Sequence, residues 1–336
     1  MTQNKHFKAL VRARMAKTGE SYSISRSQLL GTLRSIKPDL VAEFRAHDKH
    51  VSAIAFVPGR EELISGGFSG QARIWSTVDW TKVGELTGHT GSVNGFGISS
   101  DGSTVITASS DKTVRLWDLA RRIEVATLGN HSKPVVAIDL SADASLAATG
   151  SYDGTVRIWS LADRSEARRI KIGERVGSVA FHPLKSWLAV ASATSEVGVY
   201  DADGTRVAQL SASTPMTAVG WTGDGEFLIG VGGNAVRLWA RDDWDEVRSF
   251  EVEGGWLGDG APGSPQVRIA PFASNHDSSL LAAGWEHHVG VWRFDDDQPA
   301  AVIDGLPKGV YSLEFSEDGK MLGLGCADGR VRVWSI

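Results

Sequence analysis

Along most of the chain apolar and polar positions alternate in short runs, broken at close intervals by Asp, Gly, Ser and Asn. Alternation with period two sends successive side chains to opposite faces, so each run predicts a half-buried strand. In residues 92–128 the segments SVNGFGIS, STVITAS, KTVRLWD and EVATL predict four such strands. The first three are joined by SSDG (99–102) and SSDK (109–112), where Asp bonds its own backbone and Gly accepts positive φ. The same four-strand phrase returns along the chain. Seven third strands close on an aromatic residue: Trp75, Trp117, Trp159, Tyr200, Trp239, Trp292 and Trp334, at spacings of 42, 42, 41, 39, 53 and 42 residues. A four-stranded unit repeating at about 40 to 45 residues predicts the blades of a β-propeller, and the one long interval predicts an insertion.

The residues that carry the repeat resemble the WD-repeat propeller family, whose unit runs from a Gly-His pair to a Trp-Asp pair. Gly88-His89 through Trp117-Asp118 matches the whole pattern, and His131 through Trp159 nearly all of it. The resemblance covers residues 40–336, which leaves room for seven blades. It implies an all-β fold: a closed seven-bladed β-propeller of four-stranded blades. The last unit stops at its third strand (VRVWSI), while Leu40–Arg45 (LVAEFR), before Ala46-His47, is a fourth strand without a unit. Residues 40–45 are therefore expected to complete the last blade, which removes two sheet edges and locks the ring.

The resemblance also implies buried hydrogen-bonded sets, here His89, Thr107, Asp111 and Trp117, then His131, Thr149, Asp153 and Trp159. A His, a hydroxyl and an Asp have the composition of a hydrolytic triad, but this set recurs once per blade, whereas a catalytic constellation is assembled once. Elsewhere the set decays. The first unit keeps His47, Ser65 and Trp75 but has Ser69 where Asp is expected; the last keeps Asp328 and Trp334 without the His; units four to six have lost most of it.

Other chemistry is thinly represented. Glu286, His287 and His288 are consecutive, with His276 and Asp277 near, and raise the question of a metal site, but neighbours on an extended strand point to opposite faces. The glycine-rich 254–263 (GGWLGDGAPG) lacks the Lys-Ser/Thr pair of a phosphate loop. Cys326 ends an apolar strand and is expected in the core. No cofactor, metal or catalytic residue is assigned.

In the WD-repeat family the turns between second and third strands and the connections between blades share one face, the usual docking surface. Aligning the first strands places His50, Asn94, Arg175, Gln266, Arg268 and Tyr311 on that face, and Phe68, Tyr152 and Trp285 on its turns. The connection 253–266 (EGGWLGDGAPGSPQ), with five Gly and two Pro, adds Trp256. Aromatic residues and Arg supply most interface energy, so these ten residues form the expected partner-binding set. Trp80 and Trp244 fall on the opposite face and are expected to pack.

Composition changes the picture at one end. The 336 residues are 42% hydrophobic and 22% charged, with mean hydropathy −0.13, no apolar run near the roughly 18 residues of a spanning helix, and one cysteine. These features predict a cytoplasmic protein without membrane insertion. The net charge of −5 hides an asymmetry: residues 1–40 carry eight Lys/Arg and two acids, net +6, and the remainder carries net −11. Phe7, Leu10, Val11 and Met15 lie at helical spacing; Ser25 caps a second run with Leu29, Leu30, Leu33 and Ile36; and Pro38 ends it. Two parts are expected, a basic amphipathic helical extension (1–39) and the propeller (40–336). Three functions compete: a non-catalytic scaffold binding a peptide or protein; a small-molecule, metal or enzymatic site in the irregular fifth and sixth blades around Trp256, His287 and His288; and a nucleic-acid-associated adaptor using the basic arm.

Overall fold

A computed structural model describes residues 36–232, 235–251, 271–275, 277–285, 287–294, 296, 298–307 and 309–336. Its strands form seven four-stranded antiparallel sheets. Blades 1 to 6 use four consecutive strands each, spanning 51–86, 93–130, 135–171, 176–211, 218–251 and 272–303. Blade 7 takes its first three from Val310–Phe315, Met321–Cys326 and Arg330–Ser335, and its fourth from Asp39–Arg45. First strands of neighbouring blades abut in order around the ring, with that of blade 7 against that of blade 1. The helical extension assigned to residues 1–39 lies, up to residue 35, outside the described residues.

Apolar residues fill the spaces between blades. Each inter-blade cluster joins second- and third-strand residues of one blade to residues of the next, as where Ile106, Ala108 and Val114 meet first-strand Val135 and third-strand Trp159. The third-strand aromatic is thus a wedge between sheets, and Trp117, Trp159, Tyr200, Trp239 and Trp292 all lie buried or half-buried. Four of the turns between second and third strands use a left-handed residue: Gly70, Lys112, Gly154 and Gly329 have φ of +84, +76, +79 and +82°. At Gly329 a Cβ would stand 2.2 Å from the His47 carbonyl, so only glycine allows the bonds from the Ala46 and His47 amides to its own oxygen, both 2.9 Å.

The ring closes by the same chemistry that builds its blades. In blades 2, 3 and 5 a third-strand Arg pairs with a fourth-strand Glu: Arg115–Glu124 at 2.5 Å, Arg157–Glu166 at 3.1 Å and Arg237–Glu246 at 2.8 Å. In blade 7 Arg332 reaches Glu43 at 2.7 Å, across nearly the whole sequence. The register differs: Glu43 lies directly opposite Arg332, whereas the other Glu residues lie opposite the Trp and reach back diagonally. Phe44 then packs 4.5 Å from Trp75 and 6.0 Å from Trp80 of blade 1. Trp80 is a packing residue on the closing seam, and Trp244 packs on Trp187 and Trp221 between blades 4 and 5.

Candidate functional site

Two blades carry complete polar chains. His89 bonds through Nε2 to Thr107 Oγ1 (2.7 Å) and through Nδ1 to Asp111 Oδ2 (2.8 Å), while Trp117 Nε1 donates to Thr107 Oγ1 (2.9 Å). His131 repeats this with Thr149 (2.9 Å), Asp153 (2.9 Å) and Trp159 (2.9 Å from Thr149). The Asp carboxylates also accept the amides of Thr90 and Ser132, tying each second-to-third-strand turn to the blade connection beside it. Burial alone would push the Asp111 carboxyl up, but bonds from Thr113, Thr90 and His89 hold it down at about 2. Burial lowers the pKa of His89 and His131 against the pull of the paired carboxylates. Thr107 and Thr149 are fully buried, so neither hydroxyl faces a space that a substrate enters.

Blade 1 keeps half of this chain. His47 Nε2 lies 2.9 Å from Ser65 Oγ, which also accepts from Trp75 Nε1 at 2.9 Å. With Ser69 at the Asp position, His47 Nδ1 is buried without a partner, and burial together with Arg73 pushes the ring pKa down to about 4. In blade 7 Asp328 pairs instead with Arg332 at 2.8 Å, and Trp334 Nε1 is left without a partner.

On the face of the second-to-third-strand turns, two groups of the expected partner-binding residues come together. At the seam of blades 7 and 1, His50 stands between Phe68 (5.5 Å) and Tyr311 (5.3 Å), both edge-on, and its Nδ1 meets the Ala327 carbonyl at 3.2 Å. Lys49 Nζ sits 4.9 Å over the Phe68 ring, and Phe68 is 47% exposed. At the seam of blades 3 and 4, Arg175 lies 5.4 Å over Tyr152. Asn94 does not join either group: its amide donates to Ser110 Oγ (3.0 Å) and to the Val135 carbonyl of the next blade (2.7 Å). A β-bulge at the start of its strand aims it there, as an equivalent bulge aims Ser52 at the Val93 carbonyl (2.7 Å). Trp285 ends the second strand of blade 6, opposite His288. Trp256, Gln266 and Arg268 lie outside the described residues.

His287 and His288 go different ways. His287 Nδ1 meets the Leu306 carbonyl at 2.9 Å and His288 Nδ1 meets Asp304 at 2.7 Å. Among the described residues no three His, Cys, Asp or Glu side chains converge as metal ligands, and no helix is long and apolar enough to cross a membrane. Cys326 is buried, its thiol pushed up to about 11 by burial.

Three features lie outside the expected set. His182, in a first-to-second-strand turn, accepts the Leu184 and Lys185 amides at Nδ1 (both 3.0 Å), packs on Trp221 at 4.6 Å, and is held at about 4 chiefly by burial. Asp139 and Glu314 stand on first strands facing the ring axis, where the signal was an ionisable residue in a position otherwise filled by Ala or Gly.

Seven radial sheets, a shared first-strand ring and the recurring His, hydroxyl, Asp and Trp chain define a WD-type β-propeller. The family model for the WD domain, G-beta repeat, matches residues 38–76, 80–118, 122–160 and 298–335, so the chain carries WD repeats on a seven-bladed propeller. Each matched repeat begins with the fourth strand of one blade and ends with the third strand of the next, so the repeat in sequence straddles two sheets. Similarity to individual proteins is partial. The mouse guanine nucleotide-binding protein subunit beta-like protein 1 is 29% identical over 113 residues, 32% of this chain and 31% of that protein. The human kinesin-like protein KIF21B is 38% identical over 65 residues, 19% of this chain and 4% of its own length, and its mouse counterpart is 40% identical over the same extent. The chain thus covers less than a third of each of these relatives.

Proposed function

We propose that the protein is a non-catalytic interaction scaffold that takes a peptide or protein partner on the face of the second-to-third-strand turns. WD-repeat propellers generally bind protein partners, and the observation that carries the reading for this chain is the half-open aromatic group Phe68, His50 and Tyr311 with Lys49 beside it. Rigid rings bind at low entropic cost, and they stand on packed four-stranded blades, so partner docking requires little backbone change. Arg175 over Tyr152 supplies a second anchor three seams away, with forked donors suited to a carboxylate. The same reading assigns Arg268, Trp285, Gln266 and Trp256 to this face and places the protein in the cytoplasm, the latter on the single cysteine. Metal-dependent or enzymatic use of His287 and His288 finds no support in their separate partners.

The test is affinity capture by full-length protein compared with two variants: R268A/W285A/Y311A, and F68A/H50A. Loss of the same captured partner from both, with unchanged melting, supports the reading. Retention of that partner by both variants overturns the face assignment.

A further inference from the structure

The first strands leave an open channel along the ring axis. Toward the turns that join first to second strands it widens into a cavity of about 520 Å³, to which all seven blades contribute. Five aromatic residues, Phe56, Phe96, Phe181, Trp221 and Phe272, line it among small apolar residues and polar groups. Among the described residues of the lining, two carboxyls, Asp139 from blade 3 and Glu314 from blade 7, are the only ionisable side chains. Both hold the fifth position of a first strand, where other blades have Ala55, Gly97, Ala180 and Gly220. Small residues at that position leave the space open, and the two long acids reach into it.

Among the described residues no cationic side chain pairs with either acid. Asp139 accepts the Phe181 amide at 2.7 Å and the Leu140 amide at 2.9 Å. The strands packed against that of Glu314, namely Val51–Phe56, Phe272–Ser274, Leu280–Trp285 and Met321–Cys326, carry no ionisable side chain except the Cys326 thiol. Burial raises Glu314 to about 8, with a smaller push from the Asp139 charge, and raises Asp139 to about 6. Five of the seven turns at this mouth add an Asp, namely Asp101, Asp143, Asp224, Asp277 and Asp318, against the cations Arg60, Lys185 and Lys320, the last paired with Asp318 at 3.3 Å. Such a mouth concentrates cations.

We infer that this axial cavity is a binding site for a small organic cation, an ammonium or guanidinium group on an apolar body. An apolar pocket with a few convergent polar groups is the ordinary form of a ligand site. The aromatic and aliphatic lining residues shelter the hydrocarbon part of such a ligand, while the carboxylates neutralise its charge. A divalent metal ion is a poorer fit, because two carboxyls on opposite blades offer too few oxygen ligands. Near pH 7 Glu314 carries a proton; on binding, its O–H bond breaks, the proton passes to the buffer, and the carboxylate pairs with the cation. The site is on the face opposite the proposed docking surface and stands independently of it.

The experiment is titration calorimetry of the full-length protein with 2-phenylethylammonium and with its neutral analogue 2-phenylethanol. Each is run at pH 7 in phosphate and in Tris, whose different ionisation enthalpies report released protons. The inference requires that the cation bind at least about tenfold more tightly than the alcohol, a difference of about 1.4 kcal/mol, with proton release. It also requires that E314Q weaken the cation about tenfold and abolish the release, and that D139N weaken it too. Equal affinity for cation and alcohol, absence of binding, or unchanged binding by a folded E314Q overturns it. Should E314Q melt early, the wild-type preference and proton release decide alone.

Discussion

Blade 1 offers a gain-of-stability test of the repeat chemistry. His47 keeps its bond to Ser65, but its Nδ1 is buried without a partner, whereas the same atom of His89 meets a carboxylate at 2.8 Å. Ser69→Asp supplies the missing group at the position of Asp111. One buried hydrogen bond to a charged acceptor contributes about 1.5 kcal/mol, and ordering the new side chain offsets part of that, leaving about 1 kcal/mol. For a ring of this size the melting temperature should rise by about 2 °C. Acid sharpens the comparison. His47 in the folded ring resists protonation down to about 4, while in the unfolded chain it titrates near the ordinary imidazole value of 6.5. The stability present above pH 6.5 is therefore lost as pH falls toward 4, by about 3 kcal/mol at most. An Asp at 69 stabilises the imidazolium and reduces that loss. The assay is thermal melting of wild type, S69D, S69N and S69A at pH 7 and pH 5. S69D should exceed S69A at both pH values, by the larger margin at pH 5. An S69D no more stable than S69A refutes the reasoning.

Further outcomes follow from other parts of the ring. Phe44→Ala empties the space between Trp75 and Trp80 and loosens the closing strand; because Phe44 is half-buried the expected cost is about 2 to 3 kcal/mol, read as a lower melting temperature, and an unchanged melt contradicts the closure account. Thr107→Val leaves Trp117 Nε1 and His89 Nε2 without partners and should cost about 2 to 4 kcal/mol, while Thr107→Ser restores most of it; equal melts for Val and Ser contradict the polar chain. The Cys326 thiol, buried and held near 11, should react with a thiol reagent only at the rate of unfolding, and rapid labelling of native protein contradicts its place in the core.

Much of the architecture is legible because it repeats. The aromatic that ends each third strand, the Asp-Gly turns and the 42-residue interval reflect the same physical demands met in several blades, and the closing strand is visible as LVAEFR standing before the first unit. What does not repeat is harder to read. Arg332 occupies an ordinary third-strand position, and only the ring's closure brings Glu43 to it from the other end of the chain. Trp187, Trp221, Trp244 and His182 form one cluster in the blades that have lost the polar set, yet they come from a first strand and turns with no common spacing. Asn94 looks like a surface donor in the alignment of first strands, but a bulge commits it to the neighbouring blade. Asp139 and Glu314 were visible as exceptions in that same alignment. Their meaning depends on the channel, which no single blade contains.

The central claim is that the turn face recognises a peptide through its aromatic group, and a selected ligand tests it most directly. Peptides enriched on the purified full-length protein from a random display library are measured by fluorescence anisotropy against wild type and against F68A/Y311A, with unchanged melting as the control. The account predicts enriched peptides whose affinity falls at least about tenfold on the double variant, a loss of about 1.4 kcal/mol or more. Peptides that bind wild type and F68A/Y311A equally would contradict it.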